Sequence, residues 1–201
     1  MKQYHDRPVD DAVLDQLFLE ARSYNGWLDR PVSEAQIRRL YDLMKMGPTS
    51  ANMQPSRLVW CVSPEARERL ARHAIESNRA KIVTAPVCVV IGFDRDFHEQ
   101  LPWLFPHTDA RSWFADDPDG RVVGARRNSA LQGAYLMLAA RALGMDCGPM
   151  SGVDLDGVTR EFYADQPRVE ADWICSIGYG DPASVFGRSP RPEFERFNRV
   201  L

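Results

Sequence analysis

Residues 48–55 place four polar side chains within six positions, in a segment with a proline at each end. Thr49 and Ser50 supply hydroxyls, and Asn52 and Gln54 supply amides. A loop stiffened by prolines can present these donors and acceptors to a planar heterocycle at little entropic cost. The competing interpretation is an ordinary polar turn, because Ser, Asn and Pro are also common turn residues. Residues 22–27 form a second cluster of this kind, after the first predicted helix.

Motifs for several other chemistries are absent from the sequence. There is no G-x-G-x-x-G or G-x-x-x-x-G-K-[ST] nucleotide motif and no G-x-S-x-G nucleophile elbow. The histidines lack H-E-x-x-H spacing, and His98 and His107 are not expected to share a helical face, so no metal site is predicted. No C-x-x-C occurs, which favours free, buried thiols. The cysteines are Cys61, Cys88, Cys147 and Cys175.

The composition is that of one globular domain. The chain has 201 residues, of which 44% are hydrophobic and 26% charged. The 25 basic and 28 acidic residues leave a formal charge of −3, which gives no reason to expect binding to nucleic acid or to a membrane surface. The apolar run at residues 86–93 is too short to span a bilayer. We therefore expect a single domain over residues 1–201, located in the cytoplasm.

Several segments have the spacing of amphipathic helices. A capping box at Ser33 and Gln36 begins one helix, which Gly47 and Pro48 end. A long helix is predicted before Gly144, and its core-facing residues are predicted to be Leu131, Tyr135, Leu138 and Ala142. The other helices are predicted at residues 13–21, from 64 to about 76, and at 154–163.

Three short runs rich in apolar residues are predicted to be strands, at residues 58–62, 86–93 and 173–179. The continuous apolar run at 86–93 is typical of a strand buried on both faces. Residues 94–124 are predicted to form a loop. Helices alternating with short buried strands indicate an α/β or α+β domain around one sheet.

The segment Pro48-Thr49-Ser50-x-Asn52-x-Gln54-Pro55 resembles the P-[ST]-S-x-N-x-Q-P signature of the FMN-dependent nitroreductase family, and the resemblance extends over almost the whole chain. It implies an α+β fold, a three-layer α/β/α sandwich whose mostly antiparallel central sheet is flanked by helices. It also implies an intertwined homodimer with FMN at the interface, in which residues 181–201 pack on the partner.

The resemblance also implies roles for individual residues. Arg22, Arg188 and Arg191 stand at phosphate-binding positions, and Asn78 stands where the family has an Asn that faces the pyrimidine edge of the flavin. Residues 148–152 match the segment near flavin N5. The full set of implied cofactor-binding residues is Arg22, Ser23, Asn25, Pro48, Thr49, Ser50, Asn52, Asn78, Pro149, Met150, Ser151, Gly152, Arg188 and Arg191. The hydride donor implied is NADPH or NADH, and no side chain is implied to be catalytic.

Three positions depart from the family pattern. Ser151 stands where many members have an acidic residue, and Asn25 where many have Arg or Lys. Arg57 occurs near the position where a Trp is common. These departures suggest a substrate other than a typical nitroaromatic compound.

Residues 104–114, together with residues 25–27 and 148–152, are similar to the malonic semialdehyde reductases, a subgroup that reduces 3-oxopropanoate in pyrimidine degradation. Arg111 is the candidate partner of the substrate carboxylate; the alternative is that it pairs with Asp109 or Asp116. The other functions left open are a general nitro-compound, quinone or enone reductase and a flavin-binding storage or sensing module.

Overall fold

The computed structural model describes residues 7–201. At its centre is an antiparallel sheet of four strands in the order β1-β2-β4-β3. The strands are β1 (Ser56–Cys61), β2 (Val87–Asp94), β3 (Asp146–Met150) and β4 (Val169–Gly178). All eight residues of β2 are buried, as the continuous apolar run predicts, and β1 and β3 form the two edges of the sheet.

Eight α-helices lie in the described residues outside the sheet. They are α1 (Asp11–Leu14), α2 (Glu34–Met44), α3 (Pro64–Ala71), α4 (Glu76–Val83), α5 (Leu101–Leu104), α6 (Pro118–Ala142), α7 (Leu155–Phe162) and α8 (Phe194–Phe197). A π-helical turn, Asp15–Leu19, continues α1. Across residues 7–201, no helix combines the length and the apolar character needed to cross a bilayer.

Apolar side chains pack on both faces of the sheet. On one face, Leu40 of α2 and Leu136 of α6 join Val89 of β2 in a buried cluster. On the other, Ile82 of α4 and Val158 of α7 join residues of β2 and β4. This helix–sheet–helix arrangement confirms the three-layer α+β fold that the resemblance implies.

The capping signals are confirmed. Ser33 and Gln36 form the capping box of α2, in which the Ser33 hydroxyl accepts from the Gln36 amide and the Gln36 side chain accepts from the Ser33 amide over 2.9 Å. Gly144 has a φ of +73°, a conformation that glycine adopts readily, and it follows the end of α6.

The helix predicted from residue 64 to about 76 is wrong in its C-terminal part. The helix α3 ends at Ala71, and a separate helix, α4, begins at Glu76. The chain leaves the helical conformation after α3, since Ala74 pairs with Val153 in an isolated bridge and the Ile75 amide donates to the Gly152 carbonyl over 3.0 Å. These contacts orient α4, which begins at Glu76.

The predicted core face of α6 is also wrong. Leu131 and Tyr135 are 48% and 40% exposed, whereas the buried face includes Asn128, Ser129 and Gln132. A polar stripe was not expected to face inward; the hydrogen bonds described below are the reason that it does. The helix also begins within the segment predicted to be a loop, at Pro118.

Candidate functional site

Arg22 and Arg188, the two residues predicted to bind phosphate from opposite ends of the chain, lie at one surface. The Arg22 guanidinium donates to the Phe186 carbonyl over 2.5 Å, and that of Arg188 donates to the Ala21 carbonyl over 3.4 Å. Within residues 7–201, neither guanidinium forms an ion pair with a carboxylate. Their positive charge is therefore available to an anion.

Asn25 and Ser23 join this surface. The Asn25 side-chain amide donates to the Ser184 carbonyl over 3.0 Å, which ties residues 22–25 to the beginning of the C-terminal tail. Ser23 forms a parallel bridge with Cys147 at the start of β3. The four predicted residues Arg22, Ser23, Asn25 and Arg188 therefore lie together beside an edge strand. Arg191 donates only to carbonyls of its own tail, Ser189 and Pro190, and its role in phosphate binding stays a prediction.

A close backbone approach explains the glycine at position 148. A Cβ atom there would lie 2.6 Å from the Tyr24 carbonyl oxygen, which is closer than real Cβ contacts come. Residues 22–25 can therefore approach β3 only because this residue is glycine. Nearby, burial raises the pKa of Asp146, whose carboxylate accepts from the Gly180 amide over 2.9 Å.

Asn78 and residues 150–152 meet at the other end of β3. The side-chain amide of the buried Asn78 donates to the Gly152 carbonyl over 3.3 Å. Met150 is buried, whereas Pro149 and Ser151 are exposed on this edge. The structure thus brings Asn78 together with the segment predicted to pass near flavin N5.

The loop at residues 48–55 has an unusual backbone. Ala51, Asn52 and Gln54 have φ values of +48°, +49° and +40°, in the left-handed region that non-glycine residues adopt at a cost. Such a conformation persists only where the surroundings impose it, and it is common at ligand-binding sites. Here the Asn52 side chain donates to the Leu104 carbonyl over 2.8 Å, and the Gln54 amide donates to the Thr49 hydroxyl over 3.2 Å.

The buried polar stripe of α6 holds this loop, a role that the sequence analysis missed. The Asn128 side-chain oxygen accepts from the Ser50 amide over 2.9 Å, and Gln132 accepts from the Ser56 amide over 3.0 Å. The Ser129 hydroxyl lies 2.9 Å from the Ser56 hydroxyl. Positions 128, 129 and 132 share one helical face, but polar residues at this spacing are ordinarily exposed, so the spacing alone does not indicate that they are buried.

The loop and the β3 residues form two separate groups within one chain. In the part of the chain that the structure describes, no hydrogen bond or ion pair joins residues 48–55 to residues 22–25, to Asn78 or to residues 148–152. Residues 48–55 lead into β1, whereas residues 148–150 lie in β3, at the opposite edge of the sheet. Three strand spacings separate these edges, or roughly 14 Å.

The aromatic-rich segment at residues 101–114, which contains Arg111, packs against the loop. Trp103 and Leu104 line a cavity of about 520 Å³ together with Asn52 and Gln54. Arg111 forms a two-pronged ion pair with Glu99, with N–O distances of 2.8 and 2.9 Å. This hydrogen bond lowers the pKa of Glu99. The alternative, that Arg111 pairs with Asp109 or Asp116, is therefore wrong, because its partner is Glu99. The contact of Arg111 with the substrate stays a prediction.

The four cysteines are free and buried, which confirms the expectation from their spacing. Burial raises the pKa of Cys61 to about 11 and that of Cys88 to about 12. Since the thiolate is the reactive form, these thiols are unsuited to nucleophilic chemistry at neutral pH.

Comparison with known proteins gives a consistent result. Residues 1–181 match the model of the nitroreductase family. A protein of Burkholderia lata, provisionally named an NADH dehydrogenase/NAD(P)H nitroreductase, is 53% identical over 192 residues, which cover 96% of this chain and 98% of that protein. A protein of Caulobacter sp. strain K31 with the same provisional name is 52% identical over 194 residues, with coverage of 96% and 98%.

Solved structures show the same fold. A provisionally named nitroreductase of Exiguobacterium sibiricum, solved in complex with FMN, superposes with a TM-score of 0.83 at 20% identity, covering 99% of this chain and 100% of the other. CLA-ER, an enone reductase of gut-bacterial fatty acid saturation metabolism, superposes with a TM-score of 0.84 at 18% identity, covering 96% and 100%. At these identities the likeness establishes the fold alone.

Proposed function

The chain belongs to the nitroreductase family, and from that premise we propose that it is an FMN-dependent NAD(P)H oxidoreductase that reduces malonic semialdehyde to 3-hydroxypropanoate. The observation that supports the FMN part of the proposal is the meeting of Arg22 and Arg188 beside β3, with Asn78 at the far end of the same strand. A cationic end and an amide end along one strand match a ligand that has a phosphate and a polar heterocycle.

The residues present fit FMN by their chemistry. Arg22 and Arg188 would hold the phosphate through charge-assisted hydrogen bonds. Ser23 and Asn25 would bond the phosphate or the ribityl chain, and Asn78 would orient the pyrimidine edge. Met150, Ser151 and Gly152 would direct a backbone amide toward N5.

The chemistry that bound FMN supplies is acceptance of hydride from a nicotinamide and its donation to the acceptor. The protein's part is to bind and orient, and to offer donors where negative charge develops. The aromatic segment that includes Trp103 and Phe105 would limit access of water to the acceptor. Arg111 would bind the carboxylate of malonic semialdehyde, which requires that carboxylate to compete with Glu99.

We propose a homodimer because the predicted cofactor-binding residues are divided between the two edges of the sheet. Pro48, Thr49, Ser50 and Asn52 lead into one edge strand, whereas the β3 residues lie on the other. A second copy would bring the loop of one chain to the β3 group of the other. The exposed Leu131 and Tyr135 of α6 supply an apolar surface suited to such an interface. In the C-terminal tail, Phe186 is 80% exposed, and we propose that the tail packs on the partner.

Steady-state assays with a panel of acceptors test this function. The purified protein, supplied with FMN and NADPH or NADH, should reduce 3-oxopropanoate with a higher kcat/KM than a quinone, an enone or a nitroaromatic compound. A higher kcat/KM for one of the other acceptors would show that the proposed substrate is wrong, although the protein would still be a reductase. Bound FMN without turnover of any acceptor would instead indicate a storage or sensing module.

The second candidate function is a general nitro-compound or quinone reductase. It is favoured by the names of the relatives and by the ion pair that occupies Arg111. The malonic semialdehyde assignment is favoured by residues 104–114, an eleven-residue segment that resembles that subgroup.

A further inference from the structure

We infer that Arg57 and Asp94 form a clamp that positions residues 50–56 for binding the cofactor. The inference rests on the proposed function in one respect, the assignment of this loop to FMN. Arg57 directly follows the loop and the first residue of β1, and its side chain reaches back to the loop, so its contacts call for their own explanation.

The guanidinium of Arg57 contacts three successive carbonyl groups where the loop meets β1. One terminal nitrogen of Arg57, Nη1, donates to three successive carbonyls, those of Gln54 at 3.1 Å, Pro55 at 3.4 Å and Ser56 at 3.0 Å. The other, Nη2, donates to the Asp94 carboxylate over 2.7 Å. A planar fork with several donors can make these contacts together, which an ammonium group cannot do equally well.

Asp94 connects the guanidinium to the sheet. It is the last residue of β2, and its side chain is 12% exposed against 28% for Arg57. Its backbone amide donates to the Pro55 carbonyl over 2.9 Å, and its second carboxylate oxygen accepts from the Asp96 amide over 2.9 Å. Both ends of the clamp are therefore fixed to the central sheet.

The loop needs this support because its conformation is intrinsically unfavourable. Gln54 lies in the left-handed region with a φ of +40°, and Pro55 has no amide hydrogen to donate. Asn128 and Gln132 hold the loop by its amide groups, while Arg57 holds the carbonyl groups of residues 54–56. Arg57 is thus a positioning residue, since it acts through Thr49, Ser50 and Asn52.

Hydrogen exchange in the FMN-free full chain tests the clamp without relying on the cofactor. The variant is Arg57→Met, and the matched control is Arg126→Met, which breaks an ion pair of 2.6 Å with Asp172, a carboxylate that is 11% exposed. We expect the amides of Ser50, Gln54 and Ser56 to exchange at least about tenfold faster in Arg57→Met, because their hydrogen bonds open more often. In Arg126→Met the same amides should exchange at the parent rate.

FMN titration of the same proteins provides the second readout. Arg57→Met should weaken FMN binding about tenfold, Arg57→Lys should weaken it less because it keeps the ion pair, and Arg126→Met should leave it unchanged. If Arg57→Met does not fold, the double variant Arg57→Met with Asp94→Asn replaces it, since no buried charge is left unpaired. Loop exchange within twofold of the parent in the folded variant would overturn the clamp.

The two readouts separate the clamp from the proposed function. Faster loop exchange in a protein whose parent binds no FMN would leave the clamp in place and refute the function. Faster exchange with FMN affinity unchanged would overturn the role of the clamp in cofactor binding. Equal losses of FMN affinity in Arg57→Lys and Arg57→Met would overturn the role given to the ion pair.

Discussion

The side-chain amide of Gln132 donates to the side-chain oxygen of Gln54 over 2.6 Å. Gln132 is 2% exposed and lies in the middle of α6, and its own oxygen accepts from the Ser56 amide over 3.0 Å. One buried glutamine therefore satisfies two groups of the strained loop. The long helix determines the position of the loop as well as closing one face of the sheet.

The first prediction concerns this glutamine. Gln132→Leu should lower the free energy of unfolding by about 1–3 kcal/mol, because the Ser56 amide and the Gln54 oxygen lose their partner. Urea unfolding measures the change. The control Gln16→Leu removes an exposed hydrogen bond to the Arg141 carbonyl and should lower the free energy of unfolding by clearly less. Equal costs for the two variants would contradict the role given to Gln132.

The phosphate contacts can be tested by removing one arginine at a time. Arg22→Ala and Arg188→Ala should each weaken FMN binding about ten- to a hundredfold, since each removes a charge-assisted hydrogen bond of about 1.5–3 kcal/mol. Fluorescence titration of FMN measures the affinity. Arg196→Ala, also in the C-terminal tail, should have no effect. FMN affinities within twofold of the parent in both variants would mean that the phosphate is bound elsewhere.

Dimerisation is predicted from the division of the site. Light scattering at micromolar concentration should give twice the 22.8 kDa mass of one chain. Leu131→Asp places a charge on the exposed apolar face of α6 and should shift the protein toward the monomer, with FMN affinity falling in parallel. A monomeric parent chain that still holds FMN would contradict the proposed interface.

Arg111 and Glu99 give a prediction about the substrate. Arg111→Leu should raise the KM for 3-oxopropanoate at least about tenfold, equivalent to about 1.4 kcal/mol, and leave an uncharged quinone unaffected. Glu99→Gln should lower that KM, because it removes the competing carboxylate. Since Arg111 lowers the pKa of Glu99, the ion pair is intact at neutral pH and is lost only as pH falls below the ordinary value of 4.5. Equal losses on both acceptors in Arg111→Leu would indicate a damaged flavin site instead.

Local signals predicted much of the fold. The capping box at Ser33, the stop at Gly144 and the apolar run of β2 depend on neighbouring residues only, and all three are confirmed. The orientation of α6 depends on what lies opposite it. Its sequence offers an apolar face with Leu131 and Tyr135, and nothing local indicates that a polar face is needed inside.

The candidate site could likewise be predicted only in part. The resemblance named Arg22, Asn78 and Arg188, and the structure places each of them beside β3, but their contacts with FMN remain predictions. The roles of Gln132 and Arg57 could not be predicted. The partners of Gln132, the Ser56 amide and the Gln54 side chain, are distant in sequence. Those of Arg57 are the carbonyls of a segment with an unusual conformation and the distant Asp94 carboxylate. Residues that support a strained segment can be identified only once the conformation of that segment is known.

The most direct test is anaerobic reduction of the purified, FMN-loaded protein by a nicotinamide. The protein should carry about one FMN per chain, and NADPH or NADH should bleach the visible flavin absorbance, which 3-oxopropanoate should then restore. Bleaching followed by recovery would support an FMN-dependent reductase. A protein that remains colourless after incubation with FMN, or whose bound FMN neither nicotinamide reduces, would contradict the account.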